Sequence, residues 1–260
     1  MSFRKILILI PLSFLTACGG GGGGTSTSQQ TPVVTSTNVF NFQSAWQKFN
    51  STNYTKNLTI SGSCSGSSTY SRSTVSQPQA FDYSDTQFPH PMGSVNPGYY
   101  IRNTEQIKSD FTGCQTYSSN SVIQNYYDAV TFAPYGYIGG TAYNGATSYQ
   151  SSFKEFSAAV VLPSSLRVGD TGVVGTVYTY AISNFRKYGT PIGQTDVTYV
   201  IEADTAVTAI VNVISKVYDS NGKLALIDQT RYQIDSNNNL ALSSIDQQYS
   251  DSLSTHIIMK

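Results

Sequence analysis

The sequence predicts an all-β protein: an antiparallel meander forming a curved sheet or partial barrel, with one short N-terminal amphipathic helix. Three observations carry that expectation. The chain is poor in charge, at 12 % Asp, Glu, Lys and Arg, and rich in rings, with 19 Tyr and 12 Phe. Aromatic and β-branched residues suit the half-buried surface of a pleated strand. From Val173 onward the chain falls into apolar runs separated by Gly, Asn, Asp and Ser clusters, the punctuation of strands and turns. Finally, Ser220-Asn221-Gly222 stands between two such runs. Asn-Gly there is the strongest short hairpin signal, because a type I′ turn needs a positive φ twice.

The elements follow in order. Phe42, Ala45, Trp46 and Phe49 recur at i, i+3, i+4 and i+7, which predicts a short helix with one apolar stripe. Asn50 to Asn53 end it, and Trp46, the chain's single Trp, is read as anchoring it to the sheet, with ligand stacking as the alternative. Tyr54 to Cys64 and Ser68 to Ser76 read as a hairpin, with Leu58 and Ile60 alternating with polar neighbours. Pro78, Pro89, Pro91 and Pro97 make residues 77–98 a loop or broken edge strands. Tyr99 to Tyr117 is ambiguous: Ile107 and Phe111 are spaced as on a helix, but the run around Cys114 favours a strand. Val122 to Tyr127 and Ala129 to Phe132 read as a further strand leading into FAPYGYIGG, a loop of Tyr and Gly. Phe153 to Leu162 is strand-like and ends at Pro163; Arg167-Val168-Gly169-Asp170 makes a turn. Val173 to Ile182, Thr195 to Ala203, Ala206 to Asp219, Lys223 to Ile234 and Leu240 to Tyr249 are strands, and His256 to Met259 closes the sheet. Residues 38–260 are read as a single all-β domain.

The N-terminal stretch serves something other than the fold. Arg4 and Lys5 precede an apolar run, Ile6 to Leu15. That run is too short for a helix to cross ~30 Å of hydrocarbon, so residues 1–17 read as a secretory leader. Its end, Leu15-Thr16-Ala17-Cys18, resembles the lipobox of bacterial lipoprotein precursors. The resemblance implies that the leader is removed and that Cys18 becomes the first residue. It would then carry about three acyl chains such as palmitate, more than the two that durable membrane anchoring needs. Residues 18–37, with six glycines in a row after Cys18, then form a flexible tether reaching roughly 5–6 Å times the square root of its length. Gly19 after the lipidated position resembles outer-membrane sorting, so the implied location is the bacterial cell envelope, on a periplasmic or surface face. Around Val200 to Thr205, Tyr218 to Gly222 and Arg231 to Asp235 the domain is similar to uncharacterised bacterial lipoproteins, and no activity comes with that similarity.

With Cys18 lipidated, Cys64 and Cys114 remain. In an exported chain the first expectation is a disulfide between them, closing a loop of about fifty residues and worth ~4 kcal/mol on the chain-entropy model. The alternative is two free thiols. Gly62-Ser63-Cys64-Ser65-Gly66 has the form of a nucleophile elbow, but a helix should follow and SSTYSRSTVS is not helical. A base would have to be His90 or His256. Glu202 and Asp204, two apart on a strand, share a face at roughly 6–7 Å, a spacing that glycosidase carboxylates also show. Asp82 and Asp85 do not make a calcium loop. The expectation is therefore no catalytic residue, no metal and no cofactor. Lys+Arg and Asp+Glu balance at 15 each, without the basic excess of a nucleic-acid binder. Tyr126, Tyr127, Tyr135 and Tyr137 cluster in sequence as a candidate surface for stacking sugars or contacting a partner, or as rings that fill the core. The function expected is an envelope lipoprotein acting as a non-enzymatic binding, carrier or assembly-accessory module for a protein, glycan or apolar ligand. The alternative is an envelope polysaccharide or peptide hydrolase, which needs Glu202 with Asp204, or Cys64 with a histidine, in a cleft.

Overall fold

The computed structural model describes residues 37–74, 79–80, 99–113, 117–128, 130–144, 150–183, 186–251 and 254–260. The leader, Cys18, nearly all of the tether, Asp82, Asp85, His90, Cys114 and Tyr149 lie outside them.

Helix α1 (Phe42–Asn50) comes first. Asn41 caps it, its side chain accepting from the Ser44 N–H at 2.9 Å, which satisfies one of the amides a helix leaves open. The strands are β1 (Tyr54–Gly62), β2 (Ser65–Thr74), the short β3 (Gln79–Ala80), β4 (Tyr99–Thr112), β5 (Tyr117–Asp128), β6 (Pro134–Tyr143) and β7 (Gln150–Phe156). They continue as β8 (Thr171–Ser183), β9 (Arg186–Ala203), β10 (Thr208–Asp219), β11 (Leu224–Asp235), β12 (Leu240–Tyr249) and β13 (His256–Met259). From β4 to β13 each strand pairs antiparallel with the next in sequence. The sheet then returns on itself: β13 pairs with β1, β1 with β2, and β2 with β4. The meander therefore closes into a 12-strand barrel, with β3 as an appendage on β4. Closure leaves no long edge open to another chain.

Alternation along each strand divides an outer wall from a lumen. Thr55, Asn57, Thr59 and Ser61 of β1 are exposed, whereas Leu58 and Ile60 between them are buried. The outer wall of β9 to β13 carries a charged ladder. Arg231 Nε lies 3.4 Å from Glu202 Oε2, Arg231 Nη1 lies 4.0 Å from Asp246 Oδ2, and His256 Nε2 lies 2.8 Å from Asp246 Oδ1. Lipid-facing strands put apolar side chains at such positions; these put hydroxyls, amides and charges.

One end of the barrel is plugged. The α1 stripe Phe42, Ala45 and Phe49 packs with Ile201, Ala209, Val211, Ile234 and Leu240 in one buried cluster, at the ends of β9 to β12. Trp46 meets Tyr127 and Tyr232 edge-on, with ring centroids 6.4 and 5.9 Å away. Each large apolar side chain so buried contributes about 1.5–3 kcal/mol. Polar contacts fix the position: the Asn41 N–H donates to Asn238 Oδ1 at 2.9 Å, and Phe40 bridges Leu166.

Three local expectations need correction. From Pro134 on, FAPYGYIGG is strand β6 and not a loop; Gly136 and Gly139 are points of close approach, and a Cβ on Gly136 would run into the Lys154 carbonyl oxygen. The strand expected to run to Leu162 ends at Phe156; beyond it the chain leaves the sheet so that Val160, Leu162 and Leu166 can cover α1. The Asn221-Gly222 hairpin forms between β10 and β11 as expected, but only Gly222 has a positive φ, +73°. Asp219 Oδ1 instead accepts the N–H groups of Asn221 and Lys223, both at 2.9 Å. The same device recurs at the next turn. Asp235 Oδ1 takes the Asn237 and Asn239 N–H groups at 2.9 and 2.8 Å, and Asn238 supplies the left-handed residue at φ 56°.

Candidate functional site

Within the wall lies a cavity of about 510 Å³, lined from nearly every side of the barrel, within the range of sites that hold one small molecule. A smaller space of about 180 Å³ adjoins it above α1 and shares Glu105, Tyr137 and Tyr232 as walls. Trp46 and Phe42 form part of its floor.

The lumen lining mixes polar and apolar side chains. Tyr70 Oη donates to Glu105 Oε1 at 2.7 Å. Burial raises the Glu105 carboxyl above its ordinary range, against the hydrogen bond from Tyr70, the Arg72 charge and a hydrogen bond from Asn125. The same burial, and then the Glu105 charge, raise the Tyr70 phenol, so Tyr70 stays a donor. Asp228 on β11 accepts from Gln247 Nε2 at 3.1 Å and from Thr230 Oγ1 at 3.2 Å. Its carboxyl is raised by burial, with those two bonds opposing; the Asp246 charge adds to the rise and the Lys154 charge offsets it. Lys154 on β7 also lines the lumen, with its ammonium 5.2 Å from the Tyr137 ring centroid. Apolar Ile107, Phe111, Leu226, Ile245, Ile257 and Met259 stand among the hydroxyls of Ser109, Ser121, Thr141 and Ser215 in the same lining.

Arg72 ties the floor to the wall. Its Nη2 donates to the Phe49 carbonyl and, at 3.3 Å, to the Thr52 carbonyl. Its Nε reaches the Thr52 carbonyl at 3.3 Å, and the guanidinium lies 3.7 Å over the Phe49 ring. An amide relay runs beside it: Asn125 Nδ2 donates to Asn103 Oδ1, and Asn103 Nδ2 to Asn50 Oδ1, each at 3.0 Å.

The four tyrosines singled out from sequence do not share one face. Tyr127 is 3 % exposed and packs on Trp46. Tyr137 lines the lumen. Tyr126 packs against a separate cluster of Phe153 and Tyr180 on the outer wall. Tyr135 donates to Asp128 Oδ2 at 3.1 Å beside the β5–β6 turn.

The arrangements a hydrolase would need are not assembled by these residues. Glu202 stands on the outer wall, accepting from Asn212 Nδ2 at 2.6 Å, and Asp204 accepts from Thr208 and Gln233 at 2.6 and 2.8 Å. Cys64 is disulfide-bonded and 3 % exposed, so it offers no thiolate. His256 belongs to the outer ladder. Among the described residues, no three His, Cys, Asp or Glu side chains gather as a metal-ligand set.

Sequence reading missed the lumen residues Tyr70, Glu105, Lys154, Asp228 and Tyr232. The available signal was alternation. Asn103, Glu105, Ile107, Ser109 and Phe111 form one face of β4; Leu226, Asp228, Thr230, Tyr232 and Ile234 form one face of β11. A carboxylate set in an otherwise inward-facing series marks a polar interior.

Compared with protein-family models, with curated proteins and with solved structures, the chain finds no match.

Proposed function

We propose that this chain is a lipid-anchored lipoprotein of the bacterial cell envelope that holds a small amphipathic ligand inside its barrel. The observation that supports it most is the lumen: a cavity of about 510 Å³, floored by α1 and lined by both polar and apolar side chains. Leu15-Thr16-Ala17-Cys18 supplies the anchor, and outer-membrane attachment is part of the same reading. A disulfide at Cys64 suits an oxidising compartment. Cys114 is its partner in this reading, since Ser65 pairs with Thr112 across β2 and β4.

Mass spectrometry of the protein recovered from bacterial membranes tests the anchor. The expected mass is that of residues 18–260 plus about three acyl chains, and Cys18→Ala abolishes the added mass and the membrane association. A water-soluble, unmodified chain, cut elsewhere or not at all, overturns the anchor. Peptide mapping without reduction reads the Cys64 pairing.

A further inference from the structure

The lumen brings its own counter-charges. Glu105, Asp228 and Lys154 line it. The Lys154 charge acts on Asp228, and Arg72 stands opposite Glu105 in register and favours its charged form. Each carboxylate therefore already has a cation. One more charge buried here would have no partner of its own, and a buried charge without a partner is costly. The balance disfavours a charged ligand of either sign.

What the lumen offers in quantity is hydroxyl and amide. Strand registers set Ser215, Asp228 and Gln247 abreast on β10, β11 and β12. Half the ring away, Ser121 and Thr141 stand abreast on β5 and β6, their hydroxyl oxygens 2.9 Å apart. All five line the cavity. A hydroxyl has one donor and two lone pairs, so the Ser121–Thr141 bond leaves both groups able to accept again. The apolar side chains are interleaved with these groups. The lumen series of β4 reads Glu105, Ile107, Ser109 and Phe111, and that of β11 reads Leu226, Asp228, Thr230 and Tyr232. Along either strand no run of apolar side chains is long enough to cradle an acyl chain. A ligand matched to such walls carries a hydroxyl on nearly every carbon, with C–H faces between them, and no net charge.

We infer that the ligand is an uncharged sugar of one or two rings, its hydroxyls shared between the Ser215–Asp228–Gln247 row and the Ser121–Thr141 pair. Its C–H faces pack on the tyrosine rings of the same lining, Tyr137 foremost; such a ring presents a rigid apolar body and a polar tip. The inference rests on the lumen being the binding site, and the cavity of about 510 Å³ falls in the size range of small-molecule sites.

The test uses the full chain carrying Cys18→Ala, purified without detergent, with binding read by saturation-transfer NMR and titration calorimetry at about pH 6. Glucose, galactose, maltose and cellobiose are the neutral probes. Glucuronate and galacturonate are their anionic counterparts, glucosamine and galactosamine the cationic ones, and octanol is the apolar control. At least one neutral sugar is expected to bind, at least tenfold more tightly than the charged sugars or octanol. Ser215→Leu puts an apolar side chain into the lumen and is expected to weaken that binding at least tenfold. Ser215→Thr keeps the hydroxyl and the binding. Far-UV circular dichroism checks the fold, and Ser121→Val serves if the Leu variant does not fold. A charged sugar or octanol that binds as tightly, and is lost in Ser215→Leu, overturns the neutral sugar and keeps the lumen as a binding site. Sugar binding that the lumen variants leave unchanged overturns the lumen as its site. Binding of none of the probes overturns both.

Discussion

Replacing Arg72 with Met removes the clamp between α1 and the barrel wall. Arg72 is 3 % exposed and serves the Phe49 and Thr52 carbonyls at the end of α1. Each carbonyl keeps a weaker donor: the Thr52 hydroxyl for Phe49 at 3.2 Å, and the Thr74 hydroxyl for Thr52 at 3.4 Å. The loss at each is therefore set near the lower end of the 1–3 kcal/mol for an abandoned buried acceptor, about 1 kcal/mol. Removing a cation from a helix C-terminus costs about 0.3–1 kcal/mol more, and losing its place over Phe49 about 0.5–2 kcal/mol. Met refills most of the volume, and Arg72 Nη1 had no hydrogen-bond partner to lose. The expected cost is about 3 kcal/mol, a large share of the ~5–15 kcal/mol a domain usually has. Urea unfolding followed by Trp46 fluorescence and by circular dichroism measures it, one signal reporting the floor and the other the wall. Arg72→Lys keeps the charge without the fork and is expected to lose about half as much. Arg72 also stands opposite Glu105 in register, so Glu105→Gln in the Met background is expected to recover part of the loss. A cost under about 1 kcal/mol would refute the clamp, and zero coupling in the double-mutant cycle would refute the link to Glu105.

The other predictions concern single groups. Asp228→Asn removes a buried carboxyl whose folded value is raised. The wild type is free of its charging cost below the unfolded value and loses stability as pH climbs from there through the folded one. The Asn variant is therefore expected to melt higher than wild type at pH 7 and to converge with it near pH 3, which paired thermal melts would show. Ser254 is an exposed residue at φ 50°; Ser254→Gly relieves a left-handed conformation that costs an L-residue about 1–2 kcal/mol, less Gly's own entropy, so a gain of about 0.5–1 kcal/mol in chemical unfolding is expected. Gly136→Ala drives a methyl into the Lys154 carbonyl and is expected to cost about 2–3 kcal/mol, the overpacking range, read from the same curves.

What was legible in the sequence was what neighbours along the chain determine. The Phe42, Ala45, Trp46 and Phe49 stripe gave the helix because its spacing is local. The strands from β10 onward were legible because turn residues bound them, whereas β9, read as starting at Thr195, begins at Arg186. Strand β6 was not, because the reason for Gly136 and Gly139 is backbone and side chain contributed by β7 and β5. Val160 and Leu162 have strand-like composition, but α1 claims them. The lumen was hidden for the same reason: Glu105, Lys154 and Asp228 sit on β4, β7 and β11 and face one space only once the barrel has closed. The outer-wall position of Glu202 likewise follows from its neighbour Ile201, 1 % exposed, which faces inward.

Closure also dictates an order of events during biosynthesis. Ile60 pairs with Met259, and the Asn41 amide is held by a residue 197 positions away. The earliest-made apolar stripe therefore waits, wet and unprotected, until almost the whole polypeptide has been delivered. Contacts so distant in sequence form slowly, so the ring seals late. Removing β13 alone would leave β1 and β12 without their shared neighbour, a much larger injury than its length suggests.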